Sequence, residues 1–280
     1  MIEIDELFRF FRHPQRYFFN QQLGIRFNNQ NAKAEEREPF SVGKLDGYGI
    51  YQDWIETLLN DGTVSVQKMQ AQGRWPAGVL GELAFNRQQQ ALNQFVDQIK
   101  MKELGARLDD LPIDISIESY RLVGKLSNRY ENGSLLYRYA DLKGKDFVTA
   151  LLHHLISHQV EARTTHLLSA DNDLILPANV VDNAHLLTWL DIYQRGIQQP
   201  NAFFVEAAFA YVQQAQRKKA KISPLDKAKD HLERAIMQDY EPELKLLCRN
   251  IKDVSDVLNE DFEQQCQDLL QAAWNAAVSE

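Results

Sequence analysis

The sequence predicts an α+β fold in which a small central sheet is flanked by many helices. Residues 121–143 alternate apolar and polar side chains on either side of Glu131-Asn132-Gly133. Residues of that type tolerate positive φ, so the pattern indicates a β-hairpin. The segments before and after it place apolar residues at helical spacing, and such helices need a surface against which to bury their apolar faces. The hairpin is therefore the expected nucleus of the fold.

The N-terminal third of the chain is predicted to be helical. Residue 13 precedes a proline, which disfavours the α region and ends the first helix, while Gly24 can cap the second. The polar and charged residues 28–39 predict an exposed loop. Helices are predicted over residues 2–11, 14–23, 46–59, 63–72 and, opening at the loop 75–81, up to about residue 102.

The C-terminal half is predicted to be helical apart from one short hairpin. That hairpin pairs residues 164–168 with 174–176 and turns at residues 171–173. Helices are predicted over residues 146–156, 183–195, 203–216, 224–237, 241–249 and 254–278. No Gly/Ser-rich or Pro-rich linker divides the chain, so we expect a single domain over 1–280, with a helical N-terminal segment (residues 1–102), a hairpin core (residues 107–143) and a helical remainder (residues 146–280).

Composition restricts the classes of partner. The formal charge is -8 over 280 residues, so contact with nucleic acid requires a local basic patch. Such a run occurs once, at Arg217, Lys218, Lys219 and Lys221, although without interleaved aromatic residues it also fits a solvated loop. Without a secretion signal or an apolar run long enough to span a bilayer, we expect a cytoplasmic protein with no membrane contact. Cys248 and Cys266 lack metal-ligand spacing and are predicted to be buried thiols.

Histidines supply one candidate metal pair. His154 and His158 are four residues apart, which places them on one face of a helix, and His153 is adjacent. A pair without a third ligand nearby fits a solvated helix face better than a zinc site. We therefore predict no metal and no cofactor.

A helix, a hairpin and a second helix, in that order, resemble the core of the PD-(D/E)XK nuclease fold, also called restriction-endonuclease-like. In that fold the first strand of the hairpin supplies one acid, and the second strand supplies an acid followed two residues later by lysine. The first acid is expected three residues after Gly124, where this chain has Ser127. The second acid and the lysine fall near Tyr139 and Asp141.

The first helix of that core departs from the pattern as well. Active members often carry a histidine four residues after a glycine of this helix, and here Gly81 is followed at that distance by Phe85. Gly81 and Gly124 are therefore expected to matter for packing rather than for chemistry. The alternative is an active metal-dependent DNA nuclease that uses Asp141 and Lys143, since Asp141-Leu142-Lys143 does spell acid-x-lysine. That triplet is short, and Ser127 would leave magnesium without a main ligand.

Three stretches together resemble one known family. They are DELFRFFRHPQRYFFNQQLGIRF near the start, WPAGVLGELAF, and RLVGKLSNRYENGSLLYRYADLK followed by FVTALLHHL. In this order they are similar to the C-terminal domain of the RecC family, the gamma subunit of exodeoxyribonuclease V. The resemblance covers most of the chain and is weaker after about residue 190.

The resemblance implies a nuclease-like fold without a working active site, within a much longer subunit. It further implies a scaffold in a RecBCD-type helicase-nuclease of DNA repair and recombination, with the alpha (RecD) and beta (RecB) subunits and DNA as partners. The parent complex would be an ATP-dependent exodeoxyribonuclease, whereas this domain would dock the alpha subunit. Such a scaffold is expected to carry an apolar patch that is covered only in the assembly.

Overall fold

The structure, a computed structural model, describes residues 1–27, 44–179, 183–237 and 241–278. Its strands are β1 (Ile2–Glu3), β2 (Leu111–Ile117), β3 (Tyr120–Leu126), β4 (Arg129–Tyr130), β5 (Gly133–Arg138), β6 (Thr165–Ser169) and β7 (Asp173–Leu176). Its helices are α1 (Ile4–Arg12), α2 (Pro14–Gln21), α3 (Lys44–Leu59), α4 (Val66–Ala71), α5 (Gly78–Lys100), α6 (Gly144–His158), α7 (Asn183–Gly196), α8 (Val205–Ala215), α9 (Pro224–Met237), α10 (Pro242–Leu247), α11 (Glu260–Cys266) and α12 (Ala272–Val278). The expected mixture of helices with a small amount of sheet is confirmed.

The described strands form two small sheets, where a single central sheet was predicted. The first has the strand order β1-β3-β2, and the second has the order β4-β5-β6-β7. β1 runs parallel to β3, so the first two residues of the predicted N-terminal helix are strand instead. They pair because Ile2 lies beside Leu122, and both side chains are buried.

The predicted hairpin is correct at its turn and wrong in its pairing. Only Arg129 and Tyr130 pair across the turn, with Ser134 and Gly133. β3 pairs instead along its whole length with β2. Only two residues join β2 to β3, so closing that loop costs less entropy than closing the longer connection from β3 to β5. Asn128, at φ 60°, interrupts the strand between β3 and β4, so the chain leaves one sheet and enters the other.

The second sheet contains a crossover through α6. β5 and β6 are parallel and are connected by α6, while β6 and β7 form the predicted short antiparallel hairpin. Because α6 is covered by the sheet, α1, α7 and α8, most of its side chains are buried, including Phe147, Leu151 and Leu155. A helix that is buried on most of its faces occupies the centre of a domain in this way.

A second apolar cluster covers the other face of this sheet. Leu135 and Leu168 of the sheet contact residues of α3 and α5, among them Trp54, Phe85 and Phe95. Leu83, although apolar and within α5, does not lie on this face, since its side chain is 60% exposed. The buried positions of α5 start at Gly81 and continue through Phe85 to Ile99, so Leu83 falls on the opposite side of the helix.

The C-terminal segment is broken where one helix was predicted over residues 254–278. A 3₁₀ turn at Val254–Asp256 is followed by α11, whose N-terminus is capped when Asn259 accepts a hydrogen bond from the backbone amide of Phe262. A π-helical turn at Gln267–Gln271 then leads into α12. Trp274 of α12 packs on Phe147 and Phe209, which places this segment in the same apolar cluster as α6 and α8.

The remaining predictions of helices agree with the structure within a few residues, whereas the predicted loop 28–39 lies outside the described residues. The C-cap of α2 is Gln22 rather than the predicted Gly24, which lies two residues farther along at φ 64°. Cys248 and Cys266 are buried free thiols, as predicted. In the described ranges of the chain, no helix combines the length and the apolar character that crossing a bilayer requires.

Candidate functional site

Ser127 stands where the first acid of a nuclease site would be expected, at the break between β3 and β4. Its backbone carbonyl accepts a hydrogen bond from Nε2 of His153 on α6, at 2.6 Å. Burial lowers the pKa of His153 to about 4, so the imidazole is neutral at pH 7 and carries its proton on Nε2. This position therefore offers the hydroxyl side chain of Ser127 and no carboxylate, while the neutral His153 holds only its backbone.

Tyr139 stands at the expected second acid, one residue after β5 ends. Its ring contacts Phe95 and Tyr51 edge to face, with centroids 5.2 and 5.8 Å apart. Its hydroxyl accepts a hydrogen bond from the Gln88 amide at 3.2 Å. The position expected for the second acid thus holds an aromatic side chain that packs against α3 and α5.

Phe85 occupies the expected histidine position on α5 and is 4% exposed. It stacks on Trp54 at a centroid distance of 4.5 Å and meets Trp75 edge to face at 5.7 Å. The indole of Trp75 donates a hydrogen bond to the carbonyl of Gly81 at 2.8 Å, which holds the loop before α5 against these rings. The three rings, called the aromatic cluster below, fill this position with apolar packing.

Asp141 and Lys143 are exposed in the loop between β5 and α6. The strand has already ended, because the amide of Ala140 bonds to the carbonyl of Arg138 and the amide of Leu142 bonds to Asp171. Lys143 is the residue that precedes the first turn of α6. The acid-x-lysine triplet Asp141-Leu142-Lys143 therefore falls in a loop, and neither charged side chain lies on a strand.

Two of the three histidines of α6, His153 and His154, are buried rather than solvated. Nδ1 of His154 lies 3.0 Å from the hydroxyl of Thr165, and burial, with smaller contributions from neighbouring histidines, lowers its pKa to about 4. The ring centroids of His154 and His158 are 6.0 Å apart. The expected solvated face is wrong for His154, because α6 packs on β6 at this position. Within the described ranges, no three His, Cys, Asp or Glu side chains are arranged to hold a metal ion.

The basic run lies in the loop that joins α8 to α9. Arg217, Lys218, Lys219 and Lys221 are all exposed there. The amide side chain of Gln214 closes this loop by donating to the carbonyl of Ile222 at 3.0 Å. The four cations thus face solvent without an aromatic neighbour in the loop. Both predicted interpretations, a contact with nucleic acid and a solvated loop, therefore stay open.

A buried ionic cluster that the sequence did not reveal joins α1 and α2 to α10. Glu243 is 0% exposed, and its Oε1 atom lies 3.0 Å from Nε2 of His13 and 2.6 Å from Nε of Arg16. Burial opposes the charged imidazole, but hydrogen bonds to Glu241 and Glu243 outweigh it and raise the pKa of His13. The two halves of the cluster are distant in sequence, so no local pattern could have indicated it.

Comparison with known proteins gives a consistent family. The family model described as the RecC C-terminal domain matches residues 1–216. Over 218 residues the chain is 25% identical to the RecBCD enzyme subunit RecC of Escherichia coli (strain K12), a match that covers 75% of this chain and 19% of that protein.

Two further relatives carry the same name. The subunit from Haemophilus influenzae is 22% identical over 71% of this chain and 18% of its own length. The subunit from Buchnera aphidicola subsp. Acyrthosiphon pisum is 23% identical over 55% of this chain and 14% of its own length. The matched region thus spans about a fifth or less of these curated relatives. Because the family model covers most of the chain, the protein belongs to the RecC C-terminal domain family.

Proposed function

We propose that this chain is a non-catalytic scaffold and DNA-handling domain of a RecBCD-type helicase-nuclease that acts in DNA repair and recombination in the cytoplasm. The observation that carries the proposal is the set of residues at the expected nuclease positions. Ser127 and Tyr139 replace the two acids, and Phe85 belongs to the aromatic cluster. Magnesium prefers several oxygen ligands, usually carboxylates, and none of these three side chains supplies one.

The order of elements supports a degenerate PD-(D/E)XK core. α5 precedes the strands that lead to Ser127 and Tyr139, and α6 follows them before the parallel strand β6. The proposal therefore assigns the nuclease-like fold to this region of the chain and loss of the catalytic set to this family member. It also treats residues 1–280 as one domain of a longer subunit, because the main apolar cluster includes residues from Ile2 to Ala277.

Two surfaces fit a role in assembly and DNA handling. On α5, the side chains of Val79, Leu80 and Leu83 are 73%, 80% and 60% exposed, and an apolar patch of this kind is suited to burial against another protein. We assign this α5 patch to docking of the alpha (RecD) subunit, beside the beta (RecB) subunit. The exposed run at Arg217, Lys218, Lys219 and Lys221 is a candidate DNA contact, because lysine and arginine bind phosphates through charge.

Co-purification tests the proposal. The chain is co-expressed with tagged RecD and RecB subunits from the same genome, and we expect it to be retained with RecD. The double variant Leu80→Asp, Leu83→Asp should lose that retention while its thermal unfolding stays unchanged, because both side chains are exposed. A matched control, Glu82→Leu, alters the same turn of α5 without adding a charge and should still be retained. Equal recovery of the wild-type and double-variant chains would refute the assignment of the α5 patch.

A further inference from the structure

A cleft of about 800 Å³ lies where the corner of α1 and α2, the start of α6, and helices α8 and α9 meet. Its lining contains the cations Arg12, Arg16, Lys143, Lys145 and Arg234. They come from three separate stretches of a chain whose formal net charge is -8. The fold therefore concentrates positive charge at one place on an acidic protein.

The acids near this cleft already have partners. The carboxylate of Glu206 accepts hydrogen bonds from the backbone amides of Gly144 and Lys145, at 2.7 and 3.1 Å. Glu241, the other acid of the lining, lies 3.6 Å from Nε2 of His13. The carboxylate of Glu243, which pairs with Arg16, is fully buried. These three acids therefore already have partners of their own.

Three of the cations have no carboxylate partner among the residues that the structure describes. Arg12, Lys143 and Lys145 make no ion pair within 4.0 Å there. Burial lowers the pKa of Lys145, and the nearby charges of Lys143 and Arg138 lower it further, while Asp146 and Glu206 offset part of the shift. An anion that entered the cleft would relieve this repulsion, because each cation would gain an opposite charge at short range.

The position of the two lysines is fixed by close packing. A Cβ atom at Gly144 would lie 2.8 Å from both the Cβ atom of Phe209 and the carbonyl oxygen of Val205. Only glycine therefore lets the first turn of α6 approach α8 this closely, and the approach brings Lys143 and Lys145 to the cleft. The bonds to Glu206 show that the same turn of α6 holds an oxyanion.

We propose that this cleft binds the phosphates of a single DNA strand. The volume suits a few nucleotides of one strand. Phe204 and Phe209 line the cleft, but both rings are buried and cannot stack on bases. Binding therefore depends on charge, with little preference for sequence and a strong dependence on salt. The inference deepens the DNA-handling role in the proposed function and rests on it.

Fluorescence anisotropy of a labelled oligothymidylate of about 20 nucleotides tests the cleft in the full 280-residue chain. The test variant is Arg12→Gln, Lys143→Gln, Lys145→Gln. The matched control, Arg87→Gln, Lys125→Gln, Lys252→Gln, removes one arginine and two lysines that are exposed elsewhere. We expect the test variant to bind roughly tenfold or more weakly, and the slope of log affinity against log salt to become shallower by about 2.

The control should keep the wild-type affinity within about twofold. Because Lys145 is partly buried, the double variant Arg12→Gln, Lys143→Gln repeats the test with exposed residues alone. Wild-type affinity in both cleft variants, equal losses in the cleft and control variants, or no binding by the wild-type chain would each overturn the inference. Sodium tripolyphosphate that displaces the oligonucleotide only from chains with an intact cleft would support it. None of these results affects retention with RecD, so the assembly role is judged separately.

Discussion

Replacing Gly81 with alanine tests how tightly the loop before α5 closes over the aromatic cluster. A Cβ atom at this position would lie 2.0 Å from the carbonyl oxygen of Pro76, and contacts under 3.0 Å essentially never occur. The Pro76 carbonyl is also held in place, because it accepts a hydrogen bond from the Gln70 side chain at 2.9 Å. The loop must therefore move by about 1 Å, which disturbs the bond from Trp75 to the carbonyl of Gly81.

The expected loss follows from two opposing effects. Alanine favours a helix over glycine by about 1 kcal/mol, whereas forcing extra atoms into a packed site costs about 1–3 kcal/mol, and more when backbone must move. We expect Gly81→Ala to lower the free energy of unfolding by about 2 kcal/mol. The Gly49→Ala substitution is the matched control, since Gly49 is an exposed helical glycine with no described atom within 4 Å of the added Cβ. It should raise stability by about 0.5–1 kcal/mol.

Urea unfolding monitored by tryptophan fluorescence compares the two variants, and the midpoint is converted to free energy at constant slope. Opposite signs for Gly81→Ala and Gly49→Ala are the predicted result. An increase in stability for both variants would show that the loop before α5 is not packed as described, and the assignment of the aromatic cluster to the expected nuclease position would lose its structural basis.

The remaining predictions concern buried ionisable side chains. His153 and His154 have an ordinary pKa near 6.5 when unfolded and about 4 when folded, so their stabilising effect is complete above pH 6.5 and is lost as pH falls towards 4. Unfolding at about pH 7.5 and pH 5 should differ by about 2 kcal/mol per histidine, and His153→Gln should reduce that difference. An unchanged difference would contradict the pKa of His153. Replacing Glu243 with glutamine removes a buried ion pair and should lower the free energy of unfolding, measured in urea, by about 1–3 kcal/mol. The loss is no larger because Arg16 is partly exposed and regains water. No loss would show that the ionic cluster does not join α10 to α2.

Local chemistry in the sequence was sufficient for most elements of the fold. The bounds of α9 are those predicted, because Pro224 starts the helix and the apolar spacing continues from it. The turn at residues 131–132 was also found from its residue types. The pairing of β3 with β2 was not found from the sequence. Strand pairing is decided by non-local contacts, and two candidate partners with similar alternation lay within reach.

Part of the candidate site could be predicted from the sequence, and part could not. The side chains at the expected nuclease positions, Ser127, Tyr139 and Phe85, can be read from the sequence because each position is counted from a nearby glycine. The position of Lys143 beyond the end of the strand could not be predicted, since β5 ends earlier than the alternation of apolar and polar residues suggested. The cleft could not be found at all, because Arg12 lies more than a hundred residues from Lys143 and only the packing of α1, α6 and α9 brings its cations together.

A DNA cleavage assay tests directly whether this domain lacks nuclease activity. The purified chain is incubated with single- and double-stranded DNA in magnesium and then in manganese, beside the Asp141→Ala variant. The account predicts no cleavage above that of the variant, because Ser127 and Tyr139 supply no carboxylate for the metal. Metal-dependent cutting that disappears in Asp141→Ala would contradict the account and establish the chain as an active nuclease.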